Sequence, residues 1–157
     1  MKATTQQKGK RAEFLVFGEL LRRGADLYLP VVDIGIDAIS RLKTGTYLEI
    51  QVKATEAENQ AGYFNVNDLE PKPNLFIICV DMSKRKTEQW NKPEVWILAS
   101  TEFVKYATKT KKGYRLPLPE KDTRHGNIPR EKILEQYRAN DHDKVWNVLI
   151  QGPVETG

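Results

Sequence analysis

Leu75-Phe76-Ile77-Ile78-Cys79-Val80 is an unbroken apolar run with no polar residue on either face of a pleated strand. A strand of this kind must be covered above and below, so it belongs at the centre of a sheet flanked by two layers of structure. A sheet with one wet face would leave half of these side chains in water. The chain has 157 residues, enough to build such layers as one domain. We expect residues 1–150 to form that domain and 151–157 to be a frayed tail. No apolar stretch approaches the ~18 residues of a membrane span, and Met1-Lys2-Ala3-Thr4-Thr5-Gln6-Gln7-Lys8 has no apolar leader segment. A cytoplasmic protein without membrane partners is the expectation.

The elements around the apolar run can be read in order. Thr4-x-x-Gln7 is a capping-box pattern, and a helix should follow to about Arg23, where Gly24 stops it. On a helical wheel Val16, Phe17, Leu20 and Leu21 share a face, and Glu13 falls within it one turn before Phe17. A carboxylate aimed at a core requires a partner or an ion. Leu27 to Val32 reads as a strand interrupted by Pro30. Ile36 to Ile39 and Thr46 to Thr55 read as antiparallel strands joined through Lys43-Thr44-Gly45. In the second, Leu48, Ile50, Val52 and Ala54 face one way and Glu49, Gln51, Lys53 and Thr55 the other. Further strands are expected at Tyr63–Val66 and Glu94–Leu98, with Ser100 capping a short helix, and Tyr114–Pro119 reads as an extended stretch limited by its prolines. Pro129 should open a final helix to about Ala139, and Val145 to Ile150 should dock on the body. Helices at both ends of a strand-rich middle indicate an α/β sandwich.

Lys and Arg number 25 against 21 Asp and Glu, a net charge of +4. That excess permits a polyanionic partner without demanding one. Its clusters are more informative: Lys8, Lys10 and Arg11; Lys84, Arg85 and Lys86; Lys111, Lys112 and Arg115. Tyr114 sits inside the last cluster, where basic and aromatic groups alternate as in surfaces that hold nucleic acid. Cys79 is the single cysteine, which excludes an internal disulfide and a cysteine-based zinc cluster. His125 and His142 have no companion at metal-ligand spacing and read as surface residues; Trp90 and Trp96 read as packing residues.

Hydrolysis of a phosphodiester with a divalent ion calls for hard oxygen ligands and a cation near the attacking water. Gln51 and Lys53, two apart on a strand, project the same way and can present an oxygen and an ammonium to one small volume. Asp37 can reach it across the hairpin, and Glu13 from the helix packed on the sheet, so the four should converge on one side of the hairpin. Taken alone, Glu13 could equally be a helix carboxylate paired with Lys53, and Glu49, Gln51 and Lys53 an exposed polar strand face.

Gly9-x-x-x-Glu13, Gly35-Ile36-Asp37 and Glu49-Ile50-Gln51-Val52-Lys53 together resemble the PD-(D/E)xK, or restriction-endonuclease-like, nuclease superfamily. That superfamily includes archaeal Holliday-junction resolvases, many restriction enzymes and some intron-encoded homing endonucleases. The match covers about residues 5 to 55. It implies an α/β three-layer sandwich with an αβββαβ core and a mixed central sheet. The implied activity is Mg²⁺- (or Mn²⁺-) dependent cleavage of DNA, possible substrates including structured or branched forms and RNA. By the same resemblance Asp37 is the metal-binding aspartate, Gln51 stands at the second acidic position, the Val52 carbonyl is a further ligand, Lys53 is the catalytic lysine and Glu13 the helix glutamate. Lys8, Lys10, Lys84, Arg85, Lys86, Lys111, Lys112 and Arg115 would hold the nucleic acid, and cutting two strands would favour a homodimer. The chain departs from the pattern twice. Ile36 stands where Pro is usual, and Gln51, a neutral donor, stands where Asp or Glu is usual. Glu49 and Asp33 are alternative oxygen donors. The Gln51 departure keeps open a second reading, a decayed relative that binds nucleic acid or a protein without cutting.

Overall fold

The computed structural model describes residues 1–55, 62–82, 93–117, 121–122 and 128–153. Helix α1, Thr5–Arg22, begins with the expected capping box: Thr4 accepts from the Gln7 N–H and the Gln7 side chain accepts from the Thr4 N–H. Ala12, Val16, Phe17 and Leu20 form its buried stripe, whereas Leu21 is 58% exposed. The expected apolar face is therefore rotated: it is centred nearer Ala12 and Val16, and Leu21 lies beyond its margin.

Strands β1 (Asp26–Tyr28), β2 (Ala38–Arg41), β3 (Tyr47–Thr55), β4 (Tyr63–Asn67), β5 (Leu75–Asp81) and β6 (Glu94–Ala99) follow in sequence. The main sheet has the order β1-β2-β3-β5-β6 and is mixed: β3 and β5 are parallel, and the other neighbours antiparallel. Only Leu27 and Tyr28 of the anticipated Leu27–Val32 strand pair with β2, which Asp26 joins from one residue earlier. Pro30 cannot donate to a ladder, and beyond Tyr28 the chain leaves the sheet with Leu29, Val31, Val32 and Ile34 exposed.

β5 is an interior strand covered on both faces, as its composition requires, with Leu75 to Val80 all buried. Alternation divides its side chains between two cores. Phe76, Ile78 and Val80 join Leu48, Ile50 and Val52 of β3, Val95 and Ile97 of β6, and the α1 stripe. The same core takes in Trp146, Leu149 and Ile150 of the C-terminal helix α4 (Asp143–Gln151, with α2 and α3 below). Leu75, Ile77 and Cys79 face the opposite way, with Trp96 and Leu98, into a core closed by Phe103 and Tyr106 of helix α2 (Ser100–Tyr106) and by a small sheet. That sheet has the order β4-β8-β7, where β7 is Thr108–Lys109 and β8 is Gly113–Pro117. A short hairpin, β9 (Lys121–Asp122) with β10 (Ile128–Pro129), precedes helix α3 (Arg130–Leu134). The architecture is a mixed central sheet between helical and mixed layers. Among the described residues the passage from β3 to β5 carries β4, and the helix on that side, α2, follows β6.

Three local details differ from expectation. Ser100 is not a cap: Ala99 holds that position, and the buried Ser100 hydroxyl donates to the Lys72 carbonyl (2.7 Å) while accepting from the Lys72 N–H (2.8 Å). It ties the Pro-flanked segment before β5 to α2. Pro129 ends β10, and the helix after it stops at Leu134, passing into a 3₁₀ turn at Glu135–Tyr137. The chain then lies along β6, where Ala139 N–H donates to the Val95 carbonyl and the Asn140 carboxamide bonds both Val95 N–H and the Pro93 carbonyl. An otherwise open sheet edge is thereby satisfied.

Candidate active site

β2 pairs with β3 as far as Ala38 opposite Ile50. One residue earlier, the Asp37 N–H also donates to the Ile50 carbonyl (2.8 Å), so two residues of one strand meet one of the other, as in a β-bulge. No β2 residue lies opposite Val52, and the Asp37 carboxylate takes that place, accepting from the Val52 N–H at 2.7 Å. In an extended residue the N–H and C=O point to the same side, so the Val52 carbonyl opens onto the same margin. The turn leading in is set by Gly35 at φ +79°, a conformation that L side chains rarely adopt, and by Asp33, whose carboxylate accepts from the Gly35 N–H.

Asp37 is half-buried. Burial pushes its carboxyl above the ordinary carboxylate range, and the hydrogen bond from Val52 opposes that rise. The nearby negative charge of Glu13 adds to it, whereas the positive charges of Lys53 and Lys10 offset part of it. Asp37 thus lies within electrostatic reach of all three. The approach is from both faces of the sheet and not from one. Glu13 comes from α1, on the Leu48–Ile50–Val52 face, whereas Lys53 lies on the opposite face, where its charge also reaches the buried Cys79. Cys79 is itself held well above the usual thiol range by burial.

Glu13 is paired with Lys10, one turn earlier, at 2.7 Å and not with Lys53. The i,i+3 spacing was the sequence signal for this pair. Lys10 also feels Asp37 and Asp33, and its own ammonium is favoured first by the bond to Glu13. Lys10, read as a nucleic-acid contact, therefore also belongs to the margin around Asp37.

Gln51 follows Ile50 and turns away from α1, lining a cleft of about 390 Å³ with Glu49, Asn67, Asp68, Lys72 and the Ile34–Ile36 segment. Glu49 is bound to Lys72 at 2.8 Å. The hard oxygen donors at the margin are thus the Asp37 and Glu13 carboxylates and the Val52 carbonyl, with the neutral Gln51 amide on the adjoining face. Two carboxylates, with the charge of Glu13 disfavouring ionised Asp37, beside a backbone oxygen, fit a divalent cation in donor type. They are poor in charge: among the described residues no group of three or more His, Cys, Asp or Glu side chains is placed to hold a metal ion.

The remaining candidates are dispersed. Lys111 and Lys112 are exposed in the turn between β7 and β8, Arg115 is exposed on β8, and Lys8 is half-buried on α1. Tyr114 is not a surface aromatic. Alternation along β8 turns it against the second core and turns Arg115 outward, where the guanidinium lies 4.5 Å from the Tyr63 ring centroid. Trp96 is a packing residue of that core, and His142 lies 3.9 Å from Glu135 on the surface. Lys84, Arg85, Lys86, Trp90 and His125 lie outside the described residues. Among those described, no helix is long and apolar enough to cross a membrane.

No known protein family matches the sequence, and no curated protein does. Solved structures do. The bacterial homing endonuclease I-Ssp6803I is similar over 91% of this chain and 94% of its own, with a TM-score of 0.55 and 20% identity. This is the restriction-endonuclease-like fold. A Holliday junction resolvase from Archaeoglobus fulgidus, Hjc, also matches, over 82% of this chain and 96% of its own, with a TM-score of 0.44 and 14% identity. At 20% identity the likeness to the homing endonuclease establishes the architecture alone, and the chemistry has to be argued from the side chains of the fold.

Proposed function

We propose that this restriction-endonuclease-like protein is a divalent-metal-dependent nuclease that hydrolyses phosphodiester bonds in DNA. The observation that carries the reading is the Asp37 carboxylate, half-buried at the end of β2 with Glu13, Lys10 and Lys53 all within electrostatic reach. Asp37, Glu13 and the Val52 carbonyl would hold Mg²⁺ or Mn²⁺, with Gln51 contributing through its amide oxygen or a water. The ion, when bound, lowers the pKa of water and neutralises charge developing on the phosphoryl oxygens.

The chain's own residues do the rest. Lys53, fixed on a buried strand, orients the attacking water and stabilises the negative charge that grows as the P–O bond forms. Lys10 holds the Glu13 carboxylate in place. Lys111 and Lys112 bind backbone phosphates, and Arg115 contacts the same nucleic acid. Among the described residues one chain presents one such centre, so severing both strands would favour a homodimer.

A second reading is favoured by Gln51: a relative that binds DNA without cutting it, the charge of its site having fallen below what a catalytic ion needs. Incubating purified protein with duplex, single-stranded and branched DNA, and with matched RNA, in Mg²⁺ or Mn²⁺ separates the two. The enzyme reading expects cutting that falls by about 10²–10⁴-fold in Lys53→Ala and is lost in Asp37→Ala, with DNA binding retained. Equal cutting by both variants would trace the activity to a contaminant, and binding without cutting by wild type would leave the second reading.

A further inference from the structure

The small sheet β4-β8-β7 buries one face and leaves the other open. Phe64, Val66 and Leu116 point into the second core, and strand alternation turns Tyr63, Asn65, Asn67 and Arg115 outward. Asn65 and Arg115 are direct cross-strand partners, with Thr108 of β7 on the far side of Arg115. Arg115 is held from two directions: its guanidinium stacks on Tyr63 at 4.5 Å, and its Nε donates to Asn65 Oδ1 at 3.0 Å. Its terminal nitrogens meet no acceptor among the described residues. An exposed arginine normally loses considerable rotamer freedom when it binds, and here much of that ordering is already in place. A fixed planar fork matches a pair of acceptors on one base edge, such as O6 and N7 of guanine.

The surroundings suit a nucleic acid. The turn joining β7 to β8 carries exposed Lys111 and Lys112, cations placed for phosphates beside the reading face. At the other end Asn67 lines the same cleft as Gln51 and Glu49, so this end of the open face adjoins the candidate active site. A narrow β-ribbon fits the major groove of B-form DNA, whereas the deep, narrow major groove of duplex RNA excludes it.

We infer that the open face of the β4-β8-β7 sheet is a sequence-reading surface that enters the major groove of duplex DNA, with Arg115 reading a guanine and Asn67 reading an adenine nearer the cleft. Tyr63 and Asn65 are positioning residues for Arg115. Asn67 stands two residues along β4 from the Asn65–Arg115 row, about 7 Å at a strand's rise. That is the length of about two base steps, so the two specified positions lie two apart. The inference rests on the nuclease reading only for the identity of the polyanion.

The test selects bound duplexes from a randomised pool with the full chain in EDTA, and scores cutting separately in Mg²⁺ or Mn²⁺. Wild type should enrich a motif containing a guanine and an adenine at that separation. Arg115→Lys keeps the charge and loses the fork, so it should relax the guanine position by about 5- to 150-fold. Tyr63→Leu should relax the same position with the thermal midpoint nearly unchanged, and Asn67→Ala should relax the other. Lys111→Ala should weaken all sequences alike and reduce the salt dependence by about one ion. No enriched position, the same stringency in Arg115→Lys, or equal competition by duplex RNA would overturn the inference. A selected motif without cutting would remove the enzyme and keep the reader; cutting without a motif would do the reverse.

Discussion

Replacing Asp37 with Asn separates what the site does for folding from what it does for chemistry. The wild-type carboxylate accepts one bond from Val52 N–H, which an asparagine oxygen can accept equally well. What the substitution removes is a charge that burial and Glu13 together disfavour beyond the help it receives from the Val52 bond, Lys53 and Lys10. The sign follows from linkage. A carboxyl whose folded pKa lies above its unfolded value costs stability once the pH exceeds the unfolded pKa, and the cost is complete above the folded pKa. Without divalent ions, Asp37→Asn should therefore be the more stable protein at pH 7, by about 0.5–2 kcal/mol, the usual size of such relief at a functional site. For a chain of 157 residues this is a rise of about 1–8 °C in thermal midpoint. The gap should close as the pH is lowered toward the ordinary aspartate value of 3.8. Scanning calorimetry in EDTA and then in Mn²⁺ reads both parts, because the ion should raise the midpoint of wild type and leave Asp37→Asn where it was. A lower midpoint for Asp37→Asn in EDTA would refute the reasoning: the carboxylate would then be a structural anchor whose charge the fold requires.

Gln51→Glu adds a charge beside the proposed cation position and should tighten Mn²⁺ binding by about tenfold in titration calorimetry; unchanged affinity would place the Gln51 side chain away from the ion. Gly113→Ala should destabilise strongly, since a Cβ there would lie 2.0 Å from the Val66 carbonyl oxygen and 2.8 Å from the Asn67 Cα. Relief of that overlap forces β4 and β8 apart, so a loss of about 1–3 kcal/mol is expected in the urea midpoint. Ser40 is fully buried and its hydroxyl donates to the Leu149 carbonyl of α4. Ser40→Ala leaves that acceptor without its donor, and equilibrium unfolding should register a cost of about 1–3 kcal/mol.

Much of the architecture was legible because it depends on periodicities that the chain carries locally. The run at Leu75–Val80 announced a strand covered on both faces, and the alternation at Leu48, Ile50 and Val52 announced which side of β3 would meet α1. Less legible was everything fixed by partners distant in sequence. Leu21 fits the helical wheel as well as Phe17 does, yet only the sheet beneath decides where the buried stripe ends. Tyr114 and Arg115 alternate whatever happens, but which of them meets solvent depends on β8 pairing with a strand some fifty residues earlier. Pro129 suits a helix start equally well, and its place in β10 is set by the strand it pairs with.

The site shows the same division and suggests why Gln51 can stand where it does. Motif spacing brings Asp37 and Lys53 into one neighbourhood, because β2 and β3 are adjacent. It could not show that β2 stops short of Val52, so that the Asp37 carboxylate completes the ladder in place of a strand. Once it does so, Asp37 is committed to a half-buried position with Glu13 for a neighbour, and the charges that balance the pair are Lys10 and Lys53. Two carboxylates against two ammonium groups leave the margin close to neutral before any ion arrives. A third carboxylate at position 51 would add unbalanced repulsion to a site that already disfavours ionised Asp37, and folding would then lean on a cation. With an amide there, the chain can close this end of its sheet on its own, and a cation bound as proposed would be held weakly. An amide in place of a carboxylate would thus lower affinity for the proposed ion while relieving the fold of needing it.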